Sequence, residues 1–146
     1  MSFEEISHTA DIKIRVRAPS LEALFSETFN ALMQVMYGTD RRGGVVREIR
    51  IKSPDNESLL LDFLSEILFV SEVESLVFFE ARISIHGSHL TAELSGEPFD
   101  PNRHSGGSEV KGISYSGLAI SHDANGYMLD IIFDVKTPGG VWWTDA

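Results

Sequence analysis

Hydrophobic and polar positions alternate along much of the chain, and two stretches of helical spacing interrupt the alternation. Ile12, Ile14 and Val16 alternate with Lys13, Arg15 and Arg17, which puts aliphatic side chains on one face of a strand and cations on the other. Pro19-Ser20 then stops the strand and offers an N-cap. Leu21, Leu24, Phe25, Leu32, Val35 and Met36 keep to one helical face until Gly38. After the glycine-rich connection Arg41 to Gly44, Val45 to Lys52 read as a second strand. Ser53-Pro54-Asp55-Asn56 marks another boundary. Leu59, Leu60, Phe63, Leu64, Ile67 and Leu68 beyond it form the broad apolar stripe of a helix laid on a sheet.

Val77, Phe79, Ala81, Ile83 and Ile85 alternate next, Gly87-Ser88 supplies a two-residue turn, and Leu90, Ala92 and Leu94 return as the second arm of a hairpin. From Gly96 to Glu109 the chain reads GEPFDPNRHSGGSE, too polar and too rich in Gly and Pro to pack, and of the length at which loops carry function. Val110 to Ile120 and Tyr127 to Val135 predict a last antiparallel pair around the turn Asp123-Ala124-Asn125-Gly126. Strands joined mostly by turns, with only two helices among them, predict an α+β fold. The expected architecture is an antiparallel or mixed sheet of about six strands with both helices on one face.

Composition narrows this picture. At 146 residues one domain with one core is expected, and a chain of that size needs no disulfide or structural metal to hold it. The absence of cysteine removes disulfide frameworks, thiolate zinc sites and cysteine nucleophiles. The start of the chain is charged within its first residues and has no apolar run of signal-peptide or membrane-spanning length, so a cytoplasmic location without membrane association is expected. A net charge of -10, from 22 acids against 12 bases, disfavours direct tight binding to nucleic acid. The bases are unevenly placed: Lys13, Arg15, Arg17, Arg41, Arg42, Arg47, Arg50 and Lys52 all precede the second helix. A small basic patch could meet an acidic partner there, beside the plainer reading of an exposed strand face with solvated charges.

Few residues stand out chemically. His8 and Asp11 lie three apart in HTAD, and in extended chain that spacing sends them to opposite faces unless a bulge or turn intervenes. Asp134, in the apolar run LDIIFDV, is costly to bury unpaired. Asp130 shares its face, so either is a candidate inward carboxylate unless both face solvent. If the first and last strands are neighbours, Asp11 and Asp134 converge, and two carboxylates with carbonyls and water make a hard oxygen site for Ca2+ or Mg2+ rather than a closed zinc site. Lys111 follows the polar loop, where it can counter carboxylates, contact a partner or simply be solvated. No phosphate loop, dinucleotide fingerprint, H-E-x-x-H or G-x-S-x-G elbow occurs, which argues against an unaided hydrolase or kinase.

Four segments in order, HTADI at His8 to Ile12, LLLDFLSEIL at Leu59 to Leu68, GEPFDPNRH followed by EVKGISY, and IIFDV at Ile131 to Val135, together resemble the archease family. The resemblance implies a small, non-catalytic protein cofactor of the RtcB-type RNA-splicing ligase, promoting its guanylylation and multiple turnover in tRNA splicing and RNA repair. It also implies that Asp11 and Asp134 are metal-binding carboxylates, that Val135 supplies a further oxygen, and that Lys111 is a functional surface residue. His8, Glu97 and His104 lie in the matching motifs and are expected to support the site.

The sequence departs from the family pattern in two places. Family chains typically stop near the position of Val135, where a terminal carboxylate assists the metal; here residues 136–146 form a tail beyond an archease-like domain of residues 1–135. Only the Val135 carbonyl then remains. Trp142-Trp143 in that tail are expected to dock on the body, since exposed tryptophans are costly. The family's K-A-[VI]-T-Y-H run appears as Lys111 to Ser116, without its histidine. Two rival readings remain: a metal-dependent hydrolase using Asp11, His8 and His104, and a scaffold module with no metal.

Overall fold

The computed structural model describes residues 9–114 and 117–136. Its elements run β1 (Thr9–Ala18), α1 (Leu21–Tyr37), β2 (Val45–Lys52), α2 (Asn56–Glu74), β3 (Leu76–His86), β4 (His89–Pro98), α3 (Pro101–His104), β5 (Glu109–Ile113), β6 (Ser121–Asp123) and β7 (Gly126–Lys136). The α+β class is as expected, but the strands divide between two antiparallel sheets instead of forming one. One sheet has the order β1-β7-β5 with β6 also on β7; the other has the order β2-β4-β3.

Local chemistry sets the helix ends. The Ser20 hydroxyl accepts from the Ala23 amide at 3.1 Å, and the Asp55 carboxylate accepts from the Ser58 amide at 2.7 Å, each relieving an orphan donor of a first turn. α1 stops at Gly38, whose φ of 83° suits a residue without a Cβ. The β3–β4 hairpin turns at Gly87-Ser88, as its sequence predicts, with Gly87 at φ 61°.

The two sheets and two long helices share one core. Phe25 of α1 stacks on Phe63 of α2 with ring centroids 6.2 Å apart. Leu129, Ile131, Phe133 and Val135 line the inner face of β7, and Leu90, Ala92 and Leu94 that of β4. α1 packs on β1 and β3, and α2 on β2 and β3, so the outer faces of both sheets are left to charged side chains. Among the described residues no helix is long and apolar enough to cross a membrane.

Two sequence expectations fail, each for a physical reason. The segment Gly96 to Glu109 is not wholly loop: β4 runs on to Pro98, and Asp100-Pro101 starts the single helical turn α3 with Asp100 as its cap. The strand expected over Val110 to Ile120 breaks after Ile113. Gly117 takes φ 75° and the Ile120 amide donates to the Glu57 carboxylate of α2 at 2.9 Å, which draws the chain off the sheet before β6 rejoins β7.

Because Phe63 is fully buried beneath Phe25, Phe63→Ala should destabilise the chain by about 3 to 5 kcal/mol, read from the midpoint of urea unfolding.

Candidate metal centre

The site begins with strand pairing. β1 and β7, the first and last described strands, pair antiparallel along the whole of β1, and Asp11 falls directly opposite Asp134. On the other side of β7 the Ile132 carbonyl accepts from the Ser114 amide at 3.0 Å. Backbone groups alternate sides along a strand, so those of Asp134 also face β5 and those of Phe133 and Val135 face β1. Asp11 and Asp134 are therefore a non-hydrogen-bonded pair, the kind that brings opposed side chains closest, with Cα atoms about 4.5 Å apart. Asp11 is exposed and Asp134 half-buried, and the carboxylate of neither makes a hydrogen bond or ion pair among the described residues.

The β5 side completes the recess. The ladder steps from Val110 opposite Val135 to Gly112 opposite Asp134, leaving Lys111 as the extra residue of a β-bulge. Such bulges bend the strand and re-aim side chains. Gly112 leaves the space beside Asp134 open, since a Cβ there would meet nothing within 4 Å. Asp11, Asp134, Gly112, Ile113, Ser114 and Ile132 enclose a shallow recess of about 380 Å3. Like charges opposed across a ladder destabilise it. Two carboxylates with no donor among the described residues, side by side in an open recess, suit a hard cation that keeps water ligands. Among the described residues no group of three or more His, Asp or Glu gathers as a cage, so water and backbone oxygens would have to complete the shell.

Asp130 is not an alternative. It shares the outer face with Asp134, so neither carboxylate points inward; the core side belongs to Leu129, Ile131, Phe133 and Val135. Arg15 holds Asp130 through two hydrogen bonds at 2.7 and 3.0 Å, which keeps its carboxyl below the usual range. The side chain of Val135 is buried, and its carbonyl lies in the sheet plane on the side of β1, where Ala10 is its partner. Lys111 is exposed, with its ammonium 3.9 Å from Glu109. His8 and the tail tryptophans Trp142 and Trp143 lie outside the described residues.

Glu97 and His104 belong to a different assembly. Arg103 grips the Glu97 carboxylate with both Nη groups, one at 2.9 Å and the other shorter, while the Arg42 amide donates to it at 2.8 Å. His104 is buried; its Nδ1 accepts from the Asp100 amide at 2.9 Å, which leaves the ring hydrogen on Nε2, 3.2 Å from Glu97. Arg103, with the further donors, pulls Glu97 down to about 2. His104 lines a second recess with Tyr37, Phe99 and Val110, which shares no residue with that of Asp11 and Asp134. The structure thus brings Asp11 and Asp134 together and places Glu97 and His104 where they brace the loop after β4. Sequence reasoning passed over Arg103 and Arg42. The signal for Arg103 was its place one turn beyond Asp100-Pro101, itself close to Glu97.

The chain matches the model of the archease protein family (MTH1598/TM1083) over residues 3–135. The chain belongs to the archease family. It is 35% identical over 139 residues to the protein archease of Methanosarcina barkeri, covering 91% of this chain and 95% of that protein. It is also 35% identical to the protein archease of Pyrococcus abyssi, covering 91% and 98%. In fold it is similar to protein 1598 of Methanobacterium thermoautotrophicum, with a TM-score of 0.66, 24% identity and coverage of 92% and 95%. It is likewise similar to an archease of Thermotoga maritima described as a possible chaperone, with a TM-score of 0.62, 19% identity and coverage of 94% and 98%.

The Glu97 network predicts a pH dependence. A carboxyl held at about 2 in the folded chain against an ordinary 4.5 contributes stability that is complete above the ordinary value and is lost as pH falls towards 2. Urea unfolding of the wild type should weaken through that window more steeply than that of Glu97→Gln, and coincident profiles would remove this role for Glu97.

Proposed function

We propose that this chain is a non-catalytic accessory protein that binds one hard divalent cation, Ca2+ or Mg2+, and activates an RtcB-type RNA-splicing ligase. In that role it promotes the ligase's guanylylation and multiple turnover in tRNA splicing and RNA repair. The observation that carries this reading is the opposition of Asp11 and Asp134 across the β1–β7 ladder, with no ion-pair partner for either carboxylate among the described residues. Membership of the archease family supports the accessory role, as does the description of the Thermotoga protein as a possible chaperone.

Asp11 and Asp134 would hold the ion. The Val135 carbonyl could join only through the lone pair that its β1 partner leaves free. When bound, the ion supplies positive charge that offsets the repulsion between the two carboxylates. The protein's own residues do the rest: the bulge at Lys111 and the open position at Gly112 keep the recess accessible, and the Glu97–Arg103–His104 network fixes the preceding loop.

The hydrolase reading has less behind it. Both ring nitrogens of His104 are already engaged, and the residue is buried in a recess apart from Asp11. A general base needs hydrogen-bond reach to the reacting group.

Two measurements test the proposal. Without metal, Asp134→Asn should leave the chain as stable or up to about 1 kcal/mol more stable, since it removes a like-charge pair. Ca2+ should raise the unfolding midpoint of the wild type but not of this variant. With purified RtcB-type ligase, GTP and a divalent ion, the wild type should raise ligation turnover, and Asp11→Ala and Asp134→Ala should abolish that stimulation while remaining folded. Undiminished stimulation by both variants would sink the proposal.

A further inference from the structure

The outer face of the β1-β7-β5 sheet carries an unusual share of the molecule's cations. β1 presents Lys13, Arg15 and Arg17 in one row, on the same face as Asp11, and β7 presents Asp130, Asp134 and Lys136 beside them. Elsewhere most cations have their own carboxylate: Arg42 with Asp40, Arg47 with Glu74, Arg50 with Glu48, Arg82 with Glu80. Here Arg15 and Lys13 share Asp130 at 2.7 and 4.0 Å, Arg17 adds its field to that same carboxylate, and Lys136 stands opposite Glu109 in the ladder. The row is exposed, because both long helices pack on the inner side.

On a chain of net charge -10, this face holds five cations, Lys13, Arg15, Arg17, Lys111 and Lys136, against five carboxylates, Asp11, Glu109, Asp123, Asp130 and Asp134. An ion between Asp11 and Asp134 would cancel two of those five negative charges and turn a balanced face cationic, with the row of β1 as its dominant field. We infer that this face docks an acidic patch of the protein partner, and that the divalent ion strengthens the docking by turning the acidic end of the face neutral. The inference rests on the accessory reading above and names the surface that reading lacks. Charge complementarity selects the occupant: a cationic strip steers an acidic protein surface, while the strongly negative remainder of the chain repels a long polyanion such as RNA.

The test measures the affinity of the full chain for purified RtcB-type ligase by biolayer interferometry, with Ca2+ and with EDTA. The proteins compared are the wild type, Lys13→Glu/Arg17→Glu and the control Lys52→Glu, which lies on the other sheet. The wild type should bind more tightly with Ca2+, and its affinity should fall as salt rises from about 50 to about 300 mM. The double variant should bind about tenfold more weakly or worse while keeping its Ca2+ affinity in calorimetry, and Lys52→Glu should match the wild type. An unchanged affinity in the double variant overturns the docking face and leaves the accessory role standing. Parallel loss of Ca2+ affinity traces the effect to the carboxylate pair and also overturns the face. Failure of the wild type to bind under any condition overturns both. Single-stranded RNA that binds the chain alone, and is lost in the double variant, replaces the acidic protein with phosphate as the occupant.

Discussion

The pairing of β1 with β7 is the constraint from which the site follows. It joins the two ends of the described chain in a regular ladder with no register shift, and it sets the inward and outward alternation of both strands together. With Ile14 and Val16 committed to the core opposite Ile131 and Leu129, the outward positions are fixed. Asp11 falls opposite Asp134, Lys13 opposite Ile132 and Arg15 opposite Asp130. A slip of one residue would carry the hydrophobic set to solvent, so core packing enforces the opposition of two like charges that the strands alone would disfavour. The repulsion is tolerated because many buried contacts outweigh one exposed pair.

Two kinds of polar assembly then divide the molecule. Around Glu97 every charge is answered: Arg103 clasps the carboxylate, the Arg42 amide and His104 complete it, and Asp100 both caps α3 and engages Arg103. Such a closed network fixes a loop that its composition alone would leave loose, and burial of His104 against Tyr37 and Phe99 joins that network to the aromatic packing at the end of α1. The carboxylates of Asp11 and Asp134, by contrast, have no hydrogen-bond or ion-pair partner among the described residues. Satisfied polar networks rigidify, whereas carboxylates open to solvent stay available to a ligand. The contrast, more than either group alone, separates scaffold from site.

Much of this was legible in the residues. Alternation located β1, β2 and the β3–β4 hairpin, Ser20 and Gly38 marked the limits of α1, and the apolar stripe from Leu59 located α2. What local patterns could not give was partnership. Nothing between Thr9 and Ala18 says that this strand pairs with Gly126–Lys136 and not with β2, so the strands were gathered into one sheet where the chain builds two. The break after Ile113 was equally hidden, because its cause is a carboxylate on α2, Glu57, far away in sequence. Glu97 and His104 were expected to support the site because they lie in motifs that match the family; in space they belong to a recess and loop apart from Asp11 and Asp134. Asp11 and Asp134 stood out by their chemistry, and only the register could show that they lie opposite each other.

The bulge at Lys111 has a consequence for the edge it sits on. β5 is the outermost strand on its side of the sheet over this stretch, and a regular exposed edge invites a strand from another molecule to add to it. An extra residue opposite Val135, a lysine at that point and a chain that leaves the sheet after Ile113 together spoil that template. The same distortion that opens the recess therefore also guards the protein against self-association through edge-to-edge pairing.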